Sequence, residues 1–229
     1  MPPKILEIFR SIQGEGKYAG ATQVFVRFFE CNMHCAWCDT PHSIGDTTRH
    51  YVEMSVEDLF AQIQNLSAGC HSISLTGGEP LLQIDAIKAL IPYLKENHLP
   101  IYLETNGIFY HELAEIIDDV DYIAMDFKLP SSTKCKAYWT EHEAFLKIAK
   151  QKDVFIKAVI TSDTDYQDVV TSVELVQKID PTLLFILQPN YFEMKNGVAK
   201  RCVEFQEYCS EHLPNVRIIP QMHKFMRLR

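Results

Sequence analysis

The chain has no apolar run near the roughly 18 residues that span a bilayer, so no membrane partner is expected. Its opening residues, Met1-Pro-Pro-Lys-Ile5, lack the apolar centre of a secretory signal peptide; the sequence predicts a cytoplasmic protein whose thiols stay reduced. Clustered lysine and arginine are missing too. The formal net charge is −8, and the one basic run, residues 223–229, is short and terminal and reads as a solvated tail. A nucleic-acid surface needs a concentrated basic patch, so no nucleic-acid partner is expected. There is no internal repeat, low-complexity tract or linker, and 229 residues suffice for one sizeable core. A single domain over residues 1–229 follows.

What is present is alternation. Residues 22–29 form an apolar strand-like run, and a helix over 55–68 opens with Ser55 as N-cap and Asp58 three positions on. Strands are expected at 71–75, 101–104, 122–126, 154–160 and 183–187. Helices are expected at 84–97, 111–118, 141–151, 166–179 and 199–212, the first with an apolar stripe at 84, 87, 90, 91 and 94. Residues 216–219 add a last short strand. Six βα units of this kind specify an α/β fold with a parallel sheet under helices. Six fall short of the complete eight-fold barrel, which takes about 250 residues. A doubly wound sheet and a partial barrel remain open.

Seven cysteines are an odd number, and three of them, Cys31, Cys35 and Cys38, sit within eight residues as C-x3-C-x2-C directly after the first strand. Three thiols this close cannot all pair as disulfides, but they can converge on one metal centre. Three thiolates on a [4Fe-4S] cluster hold three irons and leave the fourth open for an external ligand. Zinc is the alternative, with His34, His42 or Asp39 as fourth ligand; inert buried thiols are another. Cys70, Cys135, Cys202 and Cys209 have no metal spacing and are expected to be structural.

The same motif, with Trp37 just before the last cysteine, resembles the signature of radical S-adenosylmethionine (SAM) enzymes. That resemblance implies a partial (β/α)6 TIM-type barrel, a [4Fe-4S] cluster whose unique iron chelates SAM, and reductive cleavage to a 5′-deoxyadenosyl radical. In parallel α/β folds ligands gather at the C-terminal ends of strands, and the unusual residues fall there. Thr76-Gly77-Gly78-Glu79-Pro80 resembles the superfamily's SAM-contacting GGEP segment, where Glu79 would neutralise the SAM ammonium; the plain alternative is a Gly-Gly turn. Glu104-Thr105-Asn106-Gly107 resembles another common segment. Asp126, Lys128 and Gln188 occupy the later strand ends and are assigned to SAM by position.

Two further segments, Ser11-Ile-Gln-Gly-Glu-Gly16 with Arg27 and Cys38-Asp39-Thr40, resemble the 7-carboxy-7-deazaguanine synthase family. The likeness implies conversion of 6-carboxy-5,6,7,8-tetrahydropterin to 7-carboxy-7-deazaguanine with loss of ammonia, on the route to queuosine and related deazapurines. It implies that Trp37, Cys38, Asp39 and Gly78 touch SAM, and that Thr40 ligates Mg2+, a hard cation suited to oxygen donors. It assigns the substrate to Ile12, Gln13, Gly14, Arg27, Thr76 and Arg229, with Arg27 pairing the substrate carboxylate through its forked donors. Residues 1–21 become an N-terminal substrate-binding segment and 190–229 a C-terminal closing segment. A homodimer and an electron donor such as flavodoxin or ferredoxin are implied. A glycyl-radical activating enzyme shares the cysteine spacing and is the second reading; Ser11–Gly16 and Thr40 speak against it.

Overall fold

A computed structural model describes residues 2–45 and 51–228. Strand β1 (Lys4–Ile12) runs antiparallel to β2 (Thr22–Phe28), and its other edge pairs with the short β3 (Val52–Glu53). From β2 onward every strand is parallel: β4 (Ser72–Gly77), β5 (Ile101–Thr105), β6 (Tyr122–Phe127), β7 (Asp153–Ile160), β8 (Phe185–Pro189) and β9 (Val216–Ile218). The order β3-β1-β2-β4-β5-β6-β7-β8-β9 is an open sheet whose edges do not meet. Helices α1 (Val56–Leu66), α2 (Ile84–Glu96), α3 (Tyr110–Ile116), α4 (Pro130–Thr133), α5 (Trp139–Ala149), α6 (Tyr166–Ile179) and α7 (Val198–His212) occupy the crossovers, and α8 (Met222–Met226) follows β9. The architecture is a partial barrel, as the family resemblance implies. Ser55 caps α1, its hydroxyl accepting from the Asp58 N–H at 3.0 Å.

β1 is the element that alternation concealed. It carries Lys4, Glu7 and Arg10 among its apolar residues, and of its nine residues only Ile5 is buried. An edge-side antiparallel strand shows a weaker apolar pattern than strands covered by helices. Arg10 reaches from it to the end of α1, donating to the carbonyls of Leu66 (3.0 Å) and Ala68 (2.6 Å) that the helix leaves unpaired. Residues 190–229 are also more than a closing tail, since α7 and β9 belong to the helical layer and the sheet.

Strand parity divides the sheet into two environments. Leu75, Leu103, Ile123, Met125, Ile156 and Leu187 point to the helices and form the main core. Their neighbours, on the other face, are a smaller apolar set near the strand starts (Tyr102, Ala124, Phe155, Ile186) and then polar residues nearer the strand ends (Thr76, Glu104, Asp126, Lys157, Gln188). Side chains alternate across a strand, so one register fixes both the core and the barrel interior. Segment 13–21 closes the barrel's lower end. Tyr18 packs against Tyr102 and Tyr122 there. Gly16 passes so near Phe155, at φ 70°, that a Cβ would lie 2.3 Å from the ring.

Candidate active site

The barrel interior opens into a cavity of about 360 Å3. Cys31, Cys35 and Cys38 line it together at the end of β2. The loop bearing them is fastened from three sides. Cys31 N–H donates to Ile44 O at 3.3 Å and Glu79 N–H to Glu30 O at 2.8 Å. Ala36 N–H donates to Thr133 O at 2.9 Å, Trp37 Nε1–H to Ser132 Oγ at 2.7 Å, and Asn106 Nδ2–H to Asn32 Oδ1 at 2.8 Å. Lys128 lies 4.8 Å above the Trp37 ring. Partial burial pushes the Cys31 thiol up to about 11 and the Cys35 thiol to about 12. Both stay protonated until a metal displaces the proton. Of the residues that could complete a zinc tetrahedron, His34 and His42 do not line the cavity, and Asp39 is paired with Lys224 at 3.0 Å. Three thiols on one cavity, with neither His34 nor His42 beside them among the described residues, fit a cluster with one open iron better than structural zinc.

The glycines after β4 are set by backbone contact. At Gly77 (φ 148°) a Cβ would fall 2.2 Å from Phe28 O, and at Gly78 2.1 Å from Glu30 O. Gly78 borders the cavity, but Glu79 does not. Fully buried, its carboxylate accepts from Leu81 N–H (3.1 Å), Thr105 Oγ1–H (2.9 Å) and Asn106 N–H (2.8 Å). It ties the glycine loop to the end of β5, and burial, opposed by those donors, pushes its pKa up to about 7.

The remaining residues expected at the site converge on the same cavity. Trp37, Asp39, Thr40, Thr76, Arg27 and Gly78 line one side, and Asp126, Lys128 and Gln188 the other. Ile12 at the end of β1, with Gln13 and Gly14 just after it, supplies part of the wall. Arg229 lies outside the described residues. Arg27 Nε–H donates to Glu7 at 2.7 Å. Asp126 Oδ2 pairs with Lys128 at 2.9 Å and Lys157 at 3.3 Å, and Lys157 also pairs with Glu15. Burial raises and Lys157 lowers the pKa of Glu15, with a net fall to about 2. Two buried acceptors of this site, Asp126 Oδ1 and Gln188 Oε1, have no partner among the described residues. Buried acceptors are rarely left unpaired. These two suit a ligand rich in N–H and O–H donors, as SAM is.

Sequence reasoning missed Glu15, Lys157, Gln221 and His223. Lys157 carried a signal, a charge inside the apolar run Val-Phe-Ile-Lys-Ala-Val-Ile, and Glu15, Gln221 and His223 lie in the family-like Ser11–Gly16 and Gln221-Met-His-Lys segments. The basic segment after 222 is not a solvated tail: α8 folds over the cavity. Met222 N–H donates to Gly14 O at 2.8 Å, and Gln221 Nε2 bridges Glu15 (2.7 Å) and Asp39 (3.0 Å). Glu15, Asp39 and His223 bring ligand atoms within 4.8 Å of one another, yet both carboxylates already hold lysines.

Beneath the cysteine loop, His142 is buried and stacked on Phe127 at 4.9 Å. Its Nε2 lies 3.0 Å from Asn106 O, which only accepts, so Nε2 carries the proton. Burial lowers its pKa from 6.5 to about 4. The unfolded chain therefore takes up a proton below 6.5 that the folded one refuses until about 4. Stability from this group is full above that window and falls by about 3 kcal/mol as pH drops through it. His142→Phe should flatten the urea-derived stability profile of the cluster-free protein between those pH values; an unchanged profile would assign the loss elsewhere.

Comparison with known proteins decides the class. The Radical SAM superfamily model matches residues 26–180. A 7-carboxy-7-deazaguanine synthase of Geobacter sulfurreducens is 38% identical, covering 96% of this chain and 95% of its own length. The chain belongs to this family. A synthase of the same name from Thermoplasma acidophilum is 32% identical over 97% of the chain. The crystal structure of QueE from Escherichia coli, at 23% identity, shares the fold with a TM-score of 0.68 over 97% of the chain. The family member described here is thus a radical SAM enzyme, and among its described residues no helix is long and apolar enough to cross a membrane.

Proposed function

We propose that the chain converts 6-carboxy-5,6,7,8-tetrahydropterin to 7-carboxy-7-deazaguanine with release of ammonia, in queuosine and related deazapurine biosynthesis. The observation that carries this is the shape of the site. Three thiols, a wall of lysines and an arginine each paired with a carboxylate, and the Ile12–Gly14 segment face one cavity beside α8. A glycyl-radical activating enzyme must admit a protein segment, and a cavity of about 360 Å3 bordered by both the Ile12–Gly14 segment and α8 does not favour one.

Cys31, Cys35 and Cys38 would hold the cluster. When bound, cluster and SAM supply a one-electron reductive cleavage that delivers a primary carbon radical. Trp37, Asp39 and Gly78 would border SAM, with Asp126 Oδ1 and Gln188 Oε1 accepting from its donors. Lys128 would add positive charge beside the SAM carboxylate. Arg27 would pair the substrate carboxylate, Thr76 would contact the substrate from β4, and Ile12, Gln13 and Gly14 would bear the heterocycle edge. Thr40 would ligate Mg2+, which orients the substrate and stabilises charge. An external low-potential donor such as flavodoxin or ferredoxin would feed the cluster, and a cytoplasmic homodimer is the proposed state.

The test is an anaerobic assay of the reconstituted protein with SAM, reductant, Mg2+ and the tetrahydropterin, followed by mass. A product lighter by the mass of ammonia and dependent on SAM and Mg2+ is expected. Accumulation of 5′-deoxyadenosine with the pterin intact would reject the substrate and keep the radical chemistry.

A further inference from the structure

Polar side chains form an unbroken hydrogen-bonded line through the barrel interior, from its lower end to the cavity. His71 Nδ1 lies 2.9 Å from Ser72 Oγ, and Gln23 Nε2–H donates to that hydroxyl at 2.9 Å. Gln13 Nε2–H donates to Gln23 Oε1 at 2.9 Å and to Glu104 Oε1 at 2.7 Å. Gln23 and Ser72 are completely or almost completely buried, and Gln13 is only 4% exposed. Gln23 and Ser72 are cross-strand partners in β2 and β4, so the sheet register itself brings them together.

The polarity of this line is set at one end. Glu15 N–H can only donate, and it points at Gln13 Oε1 at 3.0 Å. The other end of the Gln13 amide must then be the donor, turned to Gln23 and Glu104. Gln23 in turn must offer its oxygen, leaving its own Nε2–H for Ser72. One backbone donor thus fixes the orientation of two buried amides. The Gln13 amide has both donors and its acceptor engaged, and its backbone is held as well, N–H to Ala21 O and O from Gly20 N–H, each at 2.7 Å. It is the hub of the cavity's N-terminal wall. Glu104 borders the cavity and also accepts from Ser74 Oγ–H and Thr76 Oγ1–H, each at 3.0 Å.

We propose that Gln23, backed by Ser72, is a positioning residue for substrate affinity: it fixes the Gln13 amide, and through it the Glu104 carboxylate and the Ile12–Gly14 wall. This rests on the assignment of that wall to the substrate. Without the Gln23 oxygen, one Gln13 N–H is left buried and unpaired, a costly arrangement that is relieved by rotating the amide toward the cavity. Either the wall or Glu104 then shifts. The cysteine loop, anchored to residues 44, 106, 132 and 133, takes no part in the line.

The experiment uses reconstituted holoenzyme and measures KM separately for the pterin and for SAM, with the EPR signal of the reduced cluster with and without SAM. Gln23→Leu is expected to raise the pterin KM about tenfold, equivalent to about 1.4 kcal/mol. SAM KM and both EPR signals should stay as in the wild type. Ser72→Ala, the milder variant if Gln23→Leu fails to fold, should move the pterin KM in the same direction. Ser72→Thr, which keeps the hydroxyl, should restore it. Ser172→Ala removes a buried hydroxyl on α6 that donates to Asp168 O at 2.8 Å, and should change neither KM. An unchanged pterin KM in both Gln23→Leu and Ser72→Ala would overturn the inference. So would a parallel change in SAM KM and EPR, which marks general loosening. A wild-type enzyme that cleaves SAM without binding the pterin would remove the substrate assignment and this inference with it.

Discussion

A Cys35→Ser variant should fold with a stability close to that of the cluster-free wild type, yet form 5′-deoxyadenosine slower by roughly four orders of magnitude, about 5.5 kcal/mol of lost transition-state stabilisation. The fold does not depend on this thiol, which is partly exposed and unpaired at the end of a loop fastened by Ala36, Trp37 and Asn32. Chemistry is expected to depend on it, as a proposed cluster ligand. Hydroxyl oxygen is a poor substitute for thiolate on iron, and a cluster left with two thiolates is not retained. Iron and sulfide analysis with EPR after anaerobic reconstitution, alongside SAM cleavage, reads the outcome. A variant holding a full iron complement and cleaving SAM at the wild-type rate would place the cluster elsewhere.

The second large effect is expected at Lys157. Its ammonium joins Glu15 from the N-terminal segment to Asp126 of β6, within a wall where the lysine and Asp126 side chains are 15% and 12% exposed. Burial works against the charge on Lys157, while Asp126 and Glu15 outweigh it and raise its pKa, so the lysine is cationic across the working range. Lys157→Met leaves Glu15 without its cation, with Asp126 held by Lys128 alone. Removing one partner of a buried pair costs about 3–5 kcal/mol, or a fall in Tm on the order of 10 °C for a chain of this size. The pH dependence follows from Glu15. In the wild type its pKa is depressed from 4.5 to about 2, so its contribution is complete above 4.5 and disappears as pH falls toward 2. In the variant the carboxyl protonates earlier and sheds its unpaired charge. The gap between the two proteins should be widest near neutrality and narrow in acid. Urea titrations of the cluster-free proteins at several pH values test this. A pH-independent gap would show that lost packing, not charge, is responsible. Adding Glu15→Gln to Lys157→Met should recover part of the loss.

The reach of the sequence differs from element to element. Helix 166–179 was legible to the residue because its apolar stripe, buried at Val169, Val173 and Val176, faces a covered sheet. β1 was not, because a strand pairing near an exposed edge mixes charged with apolar residues. The cysteine spacing was a local signal and was readable. The motif places Glu79 beside the glycines, and only the fold shows its carboxylate accepting from Leu81, Thr105 and Asn106. The basic C-terminal segment looked solvated because nothing nearby in sequence explains it; its partners, Gly14 and Asp39, are more than 180 residues away.

By itself the sequence determined the class of fold, through the alternation of apolar periods, and marked the loop proposed to hold the cluster, through three thiols within eight residues. Both are short-range properties, written in neighbouring residues. The tertiary structure alone decided which polar residues share the barrel interior. Strand register and parity aimed Gln23, Glu104, Asp126, Lys157 and Gln188 inward. It also decided that residues 14–15 and 221–222 meet beside the cavity. Contacts between residues far apart in sequence arise only once packing fixes the distance between them, and no local pattern encodes that distance.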